Sequence, residues 1–370
     1  MAAINKFKWL LTPLLIYICF IGIYIGISNF NDNNYLFLPI WDVKHYLDIS
    51  EIGYRVYPCT PGVDGRLGDI CGNPGWFPMW PLVVKLFRPL MGGSSQVTFI
   101  TLTFLFTLLG FLLLFRLMET FYGYKAALLT LIALIFSPAG FYMLTGFPYA
   151  LFLLLFMLYL FLLYSRPGLG RGVGLFIIAM AISLIYPTGI LIAVVPLAWI
   201  IFNGENKFIP KSPKSWLKAV LYVFPFFLGI LLLWIYFYFK FDDFFLQLHF
   251  QEKYNRTWAF PIYIMLKSLF KQPLLSPENI AILWYGLIFF VFYPFKIRRE
   301  LWIPAIVLYL FSLTTGTTMS IYRHYLIIFP AYMLIGVSTR PLWLKLIYCL
   351  IGLILSLSIL FPLFMKYRLI

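Results

Sequence analysis

The sequence predicts an all-α polytopic membrane protein. Of its 370 residues, 62% are hydrophobic and only 11% are charged, and the mean hydropathy is +0.91. A soluble domain carries about a quarter charged residues. Uncharged stretches of membrane-spanning length, about 20 residues, recur along the chain. Together these observations exclude a soluble protein and a protein held by a single anchor.

The membrane segments follow from these stretches in chain order. The apolar stretch at 173–202 is broken by Pro187 and Gly189, and because proline followed by glycine breaks a helix, we expect two half-spans there that enter and return. With them the count is about eleven membrane segments. The nine other spans are expected at 9–28, 96–117, 125–145, 147–164, 218–239, 280–295, 301–316, 325–338 and 346–365.

The distribution of charge predicts the orientation. Lys and Arg favour short cytoplasmic loops, and of the 13 Asp and Glu residues only Glu119, Glu205 and Glu300 fall beside them. We expect a retained first helix with a cytoplasmic N-terminus rather than a cleaved signal. The basic residues on this side are Lys6, Lys8, Arg116, Lys125, Arg166, Arg171, Lys207, Lys211, Lys214, Lys218, Lys296, Arg298, Arg299, Arg340 and Lys345.

The chain is predicted to form one integral membrane domain, 1–370, with two long extracytoplasmic loops at 29–95 and 240–279. Within them, segments 80–90 and 261–270 mix apolar and basic residues and predict helices lying in the membrane interface. The net charge of +15 is scattered through short loops, so nucleic acid is not expected as a partner. Cys59 and Cys71 are either a disulfide or two free thiols.

The scarcity of ionisable side chains in the predicted spans locates the candidate site. Ion-coupled transporters place charges in mid-membrane. Here the acids, the histidines and the extra bases fall in the two external loops and in the turn at 322–325. This pattern favours a site at the external membrane surface over a path through the bilayer.

The run at 41–49 (WDVKHYLDI) carries the first candidates. Asp42 and Asp48 lie close to Trp41 and His45, just after the first span. A carboxylate in aromatic surroundings is suited to act as a general base. The alternative is an interfacial aromatic belt with two solvated acids.

Basic residues supply the complementary chemistry, because Arg and Lys bind phosphate. Arg323, Lys253 and Arg256 are the candidates, and the alternatives are a snorkelling cation and a solvated loop face. For His324 and His45 there are two interpretations: either they contact the substrate, or they form structural hydrogen bonds. The adjacent acids Asp242 and Asp243 could hold a metal ion, but a role in a turn or as a helix cap is favoured.

With these residues in this order, the sequence resembles the PIG-V-type mannosyltransferases of the GT-C superfamily of membrane glycosyltransferases. The resemblance begins with the run at 41–49, ends near Gln251 with Trp258 and the segment at 323–330, and keeps the expected order. The other matching points are 53–54 (GY), 76–82 (WFPMWPL), 137–139 (SPA), 147–149 (FPY) and 187–189 (PTG).

The resemblance implies a bundle of helices with a catalytic Asp in the first extracytoplasmic loop. It implies a polyprenyl- or dolichyl-phosphate-linked sugar, typically mannose, as the donor. Asp42 matches the catalytic residue and Arg323 the basic residue near the donor phosphate. The chain departs from the family where relatives have charged residues, with Ile40, Ala150 and Tyr186. These departures indicate a compensated loss of one ion pair, a changed acceptor or a lost activity.

We therefore expect an inverting glycosyltransferase with Asp42 as its base and a glycan, lipid or protein acceptor. The alternatives are a polytopic lipid or lipid-linked-sugar transporter and a non-catalytic partner subunit. A bacterial or archaeal plasma membrane is expected, with the endoplasmic reticulum as the alternative. No spacing dictates a metal site, so no metal ligand is assigned, and a divalent cation stays open as a cofactor. The expected substrate-binding residues are Trp41, His45, Asp48, Gln251, Lys253, Arg256, Trp258, Arg323 and His324.

Overall fold

A computed structural model describes residues 2–30, 41–60, 70–202, 212–252, 256–292 and 297–366, with side chains from residue 7 onward and none for residue 30. The structure is 79% helical. Its helices are α1 Ala2–Phe30, α2 Asp42–Ile52, α3 Met79–Phe87, α4 Ser95–Tyr122, α5 Tyr124–Ile135, α6 Tyr149–Tyr164, α7 Leu169–Ser183, α8 Val194–Phe202, α9 Pro213–Phe241, α10 Leu246–Glu252, α11 Pro261–Lys271, α12 Pro277–Val291, α13 Arg299–Leu313, α14 Ile321–Leu326, α15 Phe329–Val337, α16 Leu342–Leu355 and α17 Phe361–Met365.

Four of these helical stretches are long and apolar enough to cross a membrane: Phe7–Asn29, Ser95–Tyr122, Pro213–Phe241 and Leu342–Met365. Between 22% and 50% of each is buried inside the protein. The rest of each apolar surface faces outward, as expected for helices solvated by lipid. A multi-pass membrane protein is confirmed, whereas the total of about eleven segments stays a prediction.

Proline interrupts two spans that the sequence predicts as continuous. Helix α5 ends at Ile135, before Pro138, and a short 3₁₀ turn at Gly140–Leu144 follows. The segment at 325–338 is likewise divided, since α14 ends at Leu326 and α15 restarts beside Pro330. Proline lacks the N–H that would continue the backbone ladder, so neither stretch is one continuous helix, while its place as a membrane span stays a prediction. The break in 173–202 is confirmed, with a 3₁₀ turn at Pro187–Ala193 between α7 and α8.

The segment between α2 and α3 contains a small β-hairpin that the all-α prediction missed. Strand β1 (Val56–Pro58) pairs antiparallel with β2 (Ile70–Gly72). Cys59 and Cys71 form a disulfide at its end, which decides between the two alternatives for these thiols. Both strands are three residues long and carry no clear alternation of polar and apolar residues, so the sequence gives no period-two signal.

The core is formed where α4, α5, α6 and α15 pack together. Helices α5 and α15 approach so closely that a Cβ atom on Gly336 would lie 2.5 Å from the carbonyl oxygen of Ala126. Small residues permit such contacts in membrane bundles. Trp80 of α3 is fully buried and donates from Nε1 to the carbonyl of Gly146 at 2.9 Å. This bond fixes α3 on the helix bundle.

The two predicted amphipathic helices are present as α3 and α11, close to the predicted 80–90 and 261–270. Each has a buried side and an exposed apolar side. Leu82 and Leu86 are exposed on α3, and Tyr263 and Phe270 are exposed on α11. Their position in the plane of the membrane interface stays a prediction.

Candidate active site

Helix α2 positions the first candidate residue. It begins at Asp42 itself and ends where Gly53, at φ 80°, donates its N–H to the carbonyl of Ile49. The residue before the helix, Trp41, has φ 48° and packs edge-on against Phe364 of α17, with ring centroids 5.3 Å apart. A bulky residue with positive φ is uncommon and is held there by its surroundings.

The helix α14 carries the second half of the site in a similar way. Its preceding residue, Ser320, also has positive φ, 61°, and its carbonyl accepts the backbone N–H of Arg323 at 3.1 Å. Such backbone conformations cost about 1–3 kcal/mol and concentrate at functional sites. Left-handed residues therefore precede both short helices that aim charged side chains into the site.

An ion pair joins these two helices. Nη1 of Arg323 lies 2.8 Å from Oδ2 of Asp42. Arg323 is only 8% exposed, and its guanidinium lies over the ring of Phe147 at 5.4 Å. Burial by itself lowers the pKa of Arg323, but the Asp42 carboxylate and the neighbouring tyrosines together outweigh it, so this pKa is raised above its usual value. Arg323 therefore remains a permanent cation, and its buried Nε has no hydrogen-bond partner in the described part of the chain.

His324 lies beside this pair in the neutral state. Burial lowers its pKa well below 6.5, and the positive charges of Arg256 and Arg323 lower the pKa further. Its Nδ1 is in close hydrogen-bonding contact with the hydroxyl of Tyr186, whose oxygen lies 3.4 Å from the hydroxyl of Tyr149. The site thus contains a buried cation, a carboxylate and a neutral imidazole in a tyrosine network.

These groups line a cleft with about 660 Å³ of empty space up to its solvent-facing mouth. A second, more apolar groove of about 420 Å³ adjoins it and shares Pro187, Arg256, Met319 and His324 with it. A ligand with a charged head and an apolar tail fits this combination. The cleft is lined by Asp42, Tyr46, Gly75, Trp76, Phe77, Tyr186, Pro187, Gln251, Arg256, Met319, Ser320, Arg323 and His324.

Five of the residues predicted from the sequence meet in this cleft: Asp42, Gln251, Arg256, Arg323 and His324. They come from three separate parts of the chain, near residues 42, 251–256 and 323–324. Trp41 does not line the cleft and instead fixes the start of α2. Trp258 lies apart as well, since it does not line the cleft, is 83% exposed and makes a ring contact with Phe311, with centroids 6.2 Å apart. Lys253 lies outside the described residues.

Asp48 and His45 lie on another side of α2. They line a separate hollow of about 500 Å³ together with Lys44, Arg55, Tyr57, Gly72 and Asn73. Asp48 forms an ion pair with Arg55 at 3.1 Å. The ring of His45 stacks on that of Trp76, with centroids 3.6 Å apart, and Trp76 lines the cleft. This pair of rings forms a wall between the two spaces.

Sequence reasoning missed Tyr46 and Ser320 as cleft residues and gave no role to Trp76. Tyr46 is four residues after Asp42 and therefore on the same helix face, which is a usable signal once α2 is known to begin at Asp42. Ser320 has no sequence signal, because its contribution is a backbone conformation.

One of the three departures from the pattern of the resembled family, Tyr186, lines the cleft. Ala150 is fully buried. The Tyr186 hydroxyl forms the uncharged contact with Tyr149 described above, at a position where the resemblance implies an arginine. Uncharged side chains at both places avoid leaving one charge buried and unpaired. Ile40 lies outside the described residues.

The acidic residues do not gather around a metal position in the described ranges. No group of three or more His, Cys, Asp and Glu side chains close enough to hold an ion occurs there. Asp243 accepts the backbone N–H of Phe245 at 3.0 Å and pairs with His249 at 2.8 Å. The contact with Phe245 spans two residues ahead of α10 and is a side-chain turn, one of the two roles expected for the pair at 242–243.

Comparison of the sequence and the fold with known proteins does not identify a family. No protein-family model matches the chain, and no characterised protein matches it by sequence. Among solved structures, the chain is similar to the oligosaccharyltransferase of Archaeoglobus fulgidus, with 12% identity and a TM-score of 0.40. The match covers 88% of this chain and 48% of that one, so this chain spans about half the length of that protein. A similarity this distant decides neither family nor activity.

Proposed function

We propose that this protein is a GT-C-type membrane glycosyltransferase that uses a polyprenyl- or dolichyl-phosphate sugar as its donor. It transfers the sugar, with inversion, to an acceptor hydroxyl on the extracytoplasmic side. The observation that carries the proposal is the Asp42–Arg323 pair, which places a carboxylate and a buried cation in one cleft that continues into an apolar groove.

Asp42 acts as the general base. It removes the proton of the acceptor hydroxyl as that oxygen attacks the anomeric carbon of the sugar. The new glycosidic C–O bond forms on the face opposite the phosphate. The bond between the anomeric carbon and the phosphate oxygen breaks, and the lipid phosphate leaves with the bonding electrons. Attack from the opposite face inverts the configuration.

Arg323 stabilises the departing phosphate. In the structure one of its nitrogens holds Asp42, and its Nε has no partner among the described residues. A donor phosphate that binds this cation competes with Asp42 for it and leaves the carboxylate available as a base. A preorganised charge at a leaving group contributes about 3 kcal/mol. Arg256 lies in the same cleft and supplies a second cation.

The neutral His324 and Gln251 provide uncharged hydrogen-bonding groups for the sugar. The lipid chain of the donor extends into the adjoining groove, whose lining includes Phe311, Ile321 and Pro187. Mannose is the proposed sugar because the family that the sequence resembles typically transfers it. Membrane lipid and a glycan, lipid or protein acceptor are the remaining partners.

The test is transfer of sugar from radiolabelled polyprenyl-phosphate mannose by membranes that contain the wild type, Asp42→Asn or Asp48→Asn. Base catalysis is worth ~10²–10⁴-fold, so we expect Asp42→Asn to lose at least about a hundredfold in turnover. Asp48→Asn is the matched control, because it removes the same charge from the same helix outside the cleft. It should keep turnover within about threefold of the wild type.

Near-wild-type transfer by Asp42→Asn would remove Asp42 from the mechanism. If the wild type transfers neither mannose nor glucose from lipid donors, while vesicles that contain it move the labelled lipid across the bilayer, the protein is a transporter. Both variants must reach the membrane in equal amounts, which immunoblotting of the same preparations establishes.

A further inference from the structure

A second polar hollow lies outside the cleft, between α11 and the loop that precedes α14. It has about 530 Å³ of empty space up to solvent and shares no lining residue with the cleft. Two lysines line it and no carboxylate does, in a chain whose acids are few. The lining residues are Ile264, Lys267, Ser268, Lys271, Gln272, Gly316, Thr317 and Thr318.

The floor of this hollow is fixed by buried polar groups. Ser268 and Thr318 are 4% and 7% exposed. The Ser268 hydroxyl donates to Oδ1 of Asn279 at 2.8 Å, and Nε2 of Gln272 donates to the Thr318 hydroxyl at 3.4 Å. Asn279 also donates to three backbone carbonyls at the end of α11. The hydroxyl and amide groups are therefore held in place before any ligand binds.

The lysines lie at a particular place around α11. With 3.6 residues per turn, Lys267 and Lys271 share one strip of the helix. On one side of this strip are the buried Ile264 and Ser268. On the other side are apolar side chains that are 60% exposed at Tyr263 and 85% exposed at Phe270. The cations thus stand between a polar hollow and an outward-facing apolar surface.

We propose that this hollow binds the phosphate head group of an anionic membrane lipid. Lys267 and Lys271 make no ion pair with a carboxylate in the described ranges, so their charge is available to an outside anion. The phosphate is held by the two ammonium groups and by the Thr318 hydroxyl, which accepts from Gln272 and keeps its own proton to donate. The acyl chains follow the exposed side of α11, past Tyr263 and Phe270.

The experiment measures lipid binding to the purified full-length protein in neutral detergent. The probes are short-chain phosphatidylglycerol, phosphatidylcholine of the same chain length, and inorganic phosphate. Binding is followed by native mass spectrometry and by the rise in unfolding midpoint with ligand concentration. The proteins are the wild type, Lys267→Gln/Lys271→Gln and the control Lys85→Gln, which removes an exposed lysine from the other amphipathic helix, α3.

We expect the wild type to bind phosphatidylglycerol more tightly than phosphatidylcholine. Each lysine near a lipid phosphate is worth about fivefold, so the double variant should lose roughly 25-fold in affinity for phosphatidylglycerol. Lys85→Gln should bind as the wild type does. Equal affinity for the two lipids, or unchanged affinity in the double variant, would overturn the proposal. Inorganic phosphate that bound as tightly as the anionic lipid would overturn the assignment to a lipid.

Discussion

Helix α2 carries two Asp–Arg ion pairs whose surroundings differ. Asp42 pairs at 2.8 Å with Arg323, whose side chain is 10% exposed and which comes from the far end of the chain. Asp48 pairs at 3.1 Å with Arg55, whose side chain is 50% exposed and which is seven residues away. Exposed pairs are screened by water and contribute little, whereas a buried charge depends on its partner. The same two residue types thus form a candidate active site on one side of the helix and a surface contact on another.

The two ion pairs should differ most in how much stability the protein loses when one partner is replaced. Arg55→Gln should change the free energy of unfolding by less than about 1 kcal/mol. Asp42→Asn leaves the buried Arg323 without its counter-charge and should cost about 3 kcal/mol, and Arg323→Gln should cost a similar amount. Reversible unfolding in mixed detergent micelles measures all three.

A double-mutant cycle sharpens this difference. Asp42→Asn/Arg323→Gln removes both charges and should recover part of the stability that the single variants lose, yet it should not recover sugar transfer. Asp48→Asn/Arg55→Gln should show a coupling energy close to zero. If transfer recovered together with stability in the first double variant, the Asp42–Arg323 pair would be structural only.

The next prediction concerns the β-hairpin that follows Arg55. Cys59→Ala/Cys71→Ala opens a disulfide that closes a separation of 12 residues. Such a link contributes about 3 kcal/mol, chiefly by restricting the unfolded chain. We expect that loss of stability with sugar transfer preserved at temperatures well below the unfolding midpoint. A loss of transfer as large as that of Asp42→Asn would show that the cleft depends on the hairpin.

The smallest effect expected is on the dependence of stability on pH. Burial lowers the pKa of both His324 and His45. Arg256 and Arg323 lower that of His324 further, whereas Asp42 and Asp48 oppose the shift at His45. Below about pH 6.5 the unfolded chain binds protons that the folded protein does not, so the free energy of unfolding falls as the pH falls.

Replacement of a histidine removes its share of this acid-induced loss. The share approaches about 1.4 kcal/mol per pH unit for a group that stays neutral in the folded state. His324→Gln should therefore reduce the loss between about pH 7 and about pH 5 more than His45→Gln does. Unfolding midpoints measured at both pH values give the comparison. An equal reduction in the two variants would contradict the assigned surroundings of His324.

Part of the site was predictable because the signals are local. The scarcity of charge directed attention to the external loops, and the resemblance selected Asp42 and Arg323. Their pairing was not predictable, since no spacing relates residues so far apart. Asp48 and His45 were grouped with Asp42 because they are close in sequence. On a helix, six residues correspond to a rotation of about 240°, so Asp48 cannot face the same cleft.

By itself the sequence determined that this is a multi-pass helical membrane protein, because length and hydropathy decide which segments leave water. It also determined the break at Pro187, because proline acts on its own backbone. Only the tertiary structure decided which acid meets Arg323, which cysteines join and which lysines share a hollow. Those outcomes depend on packing between distant segments, and packing is a property of the whole fold.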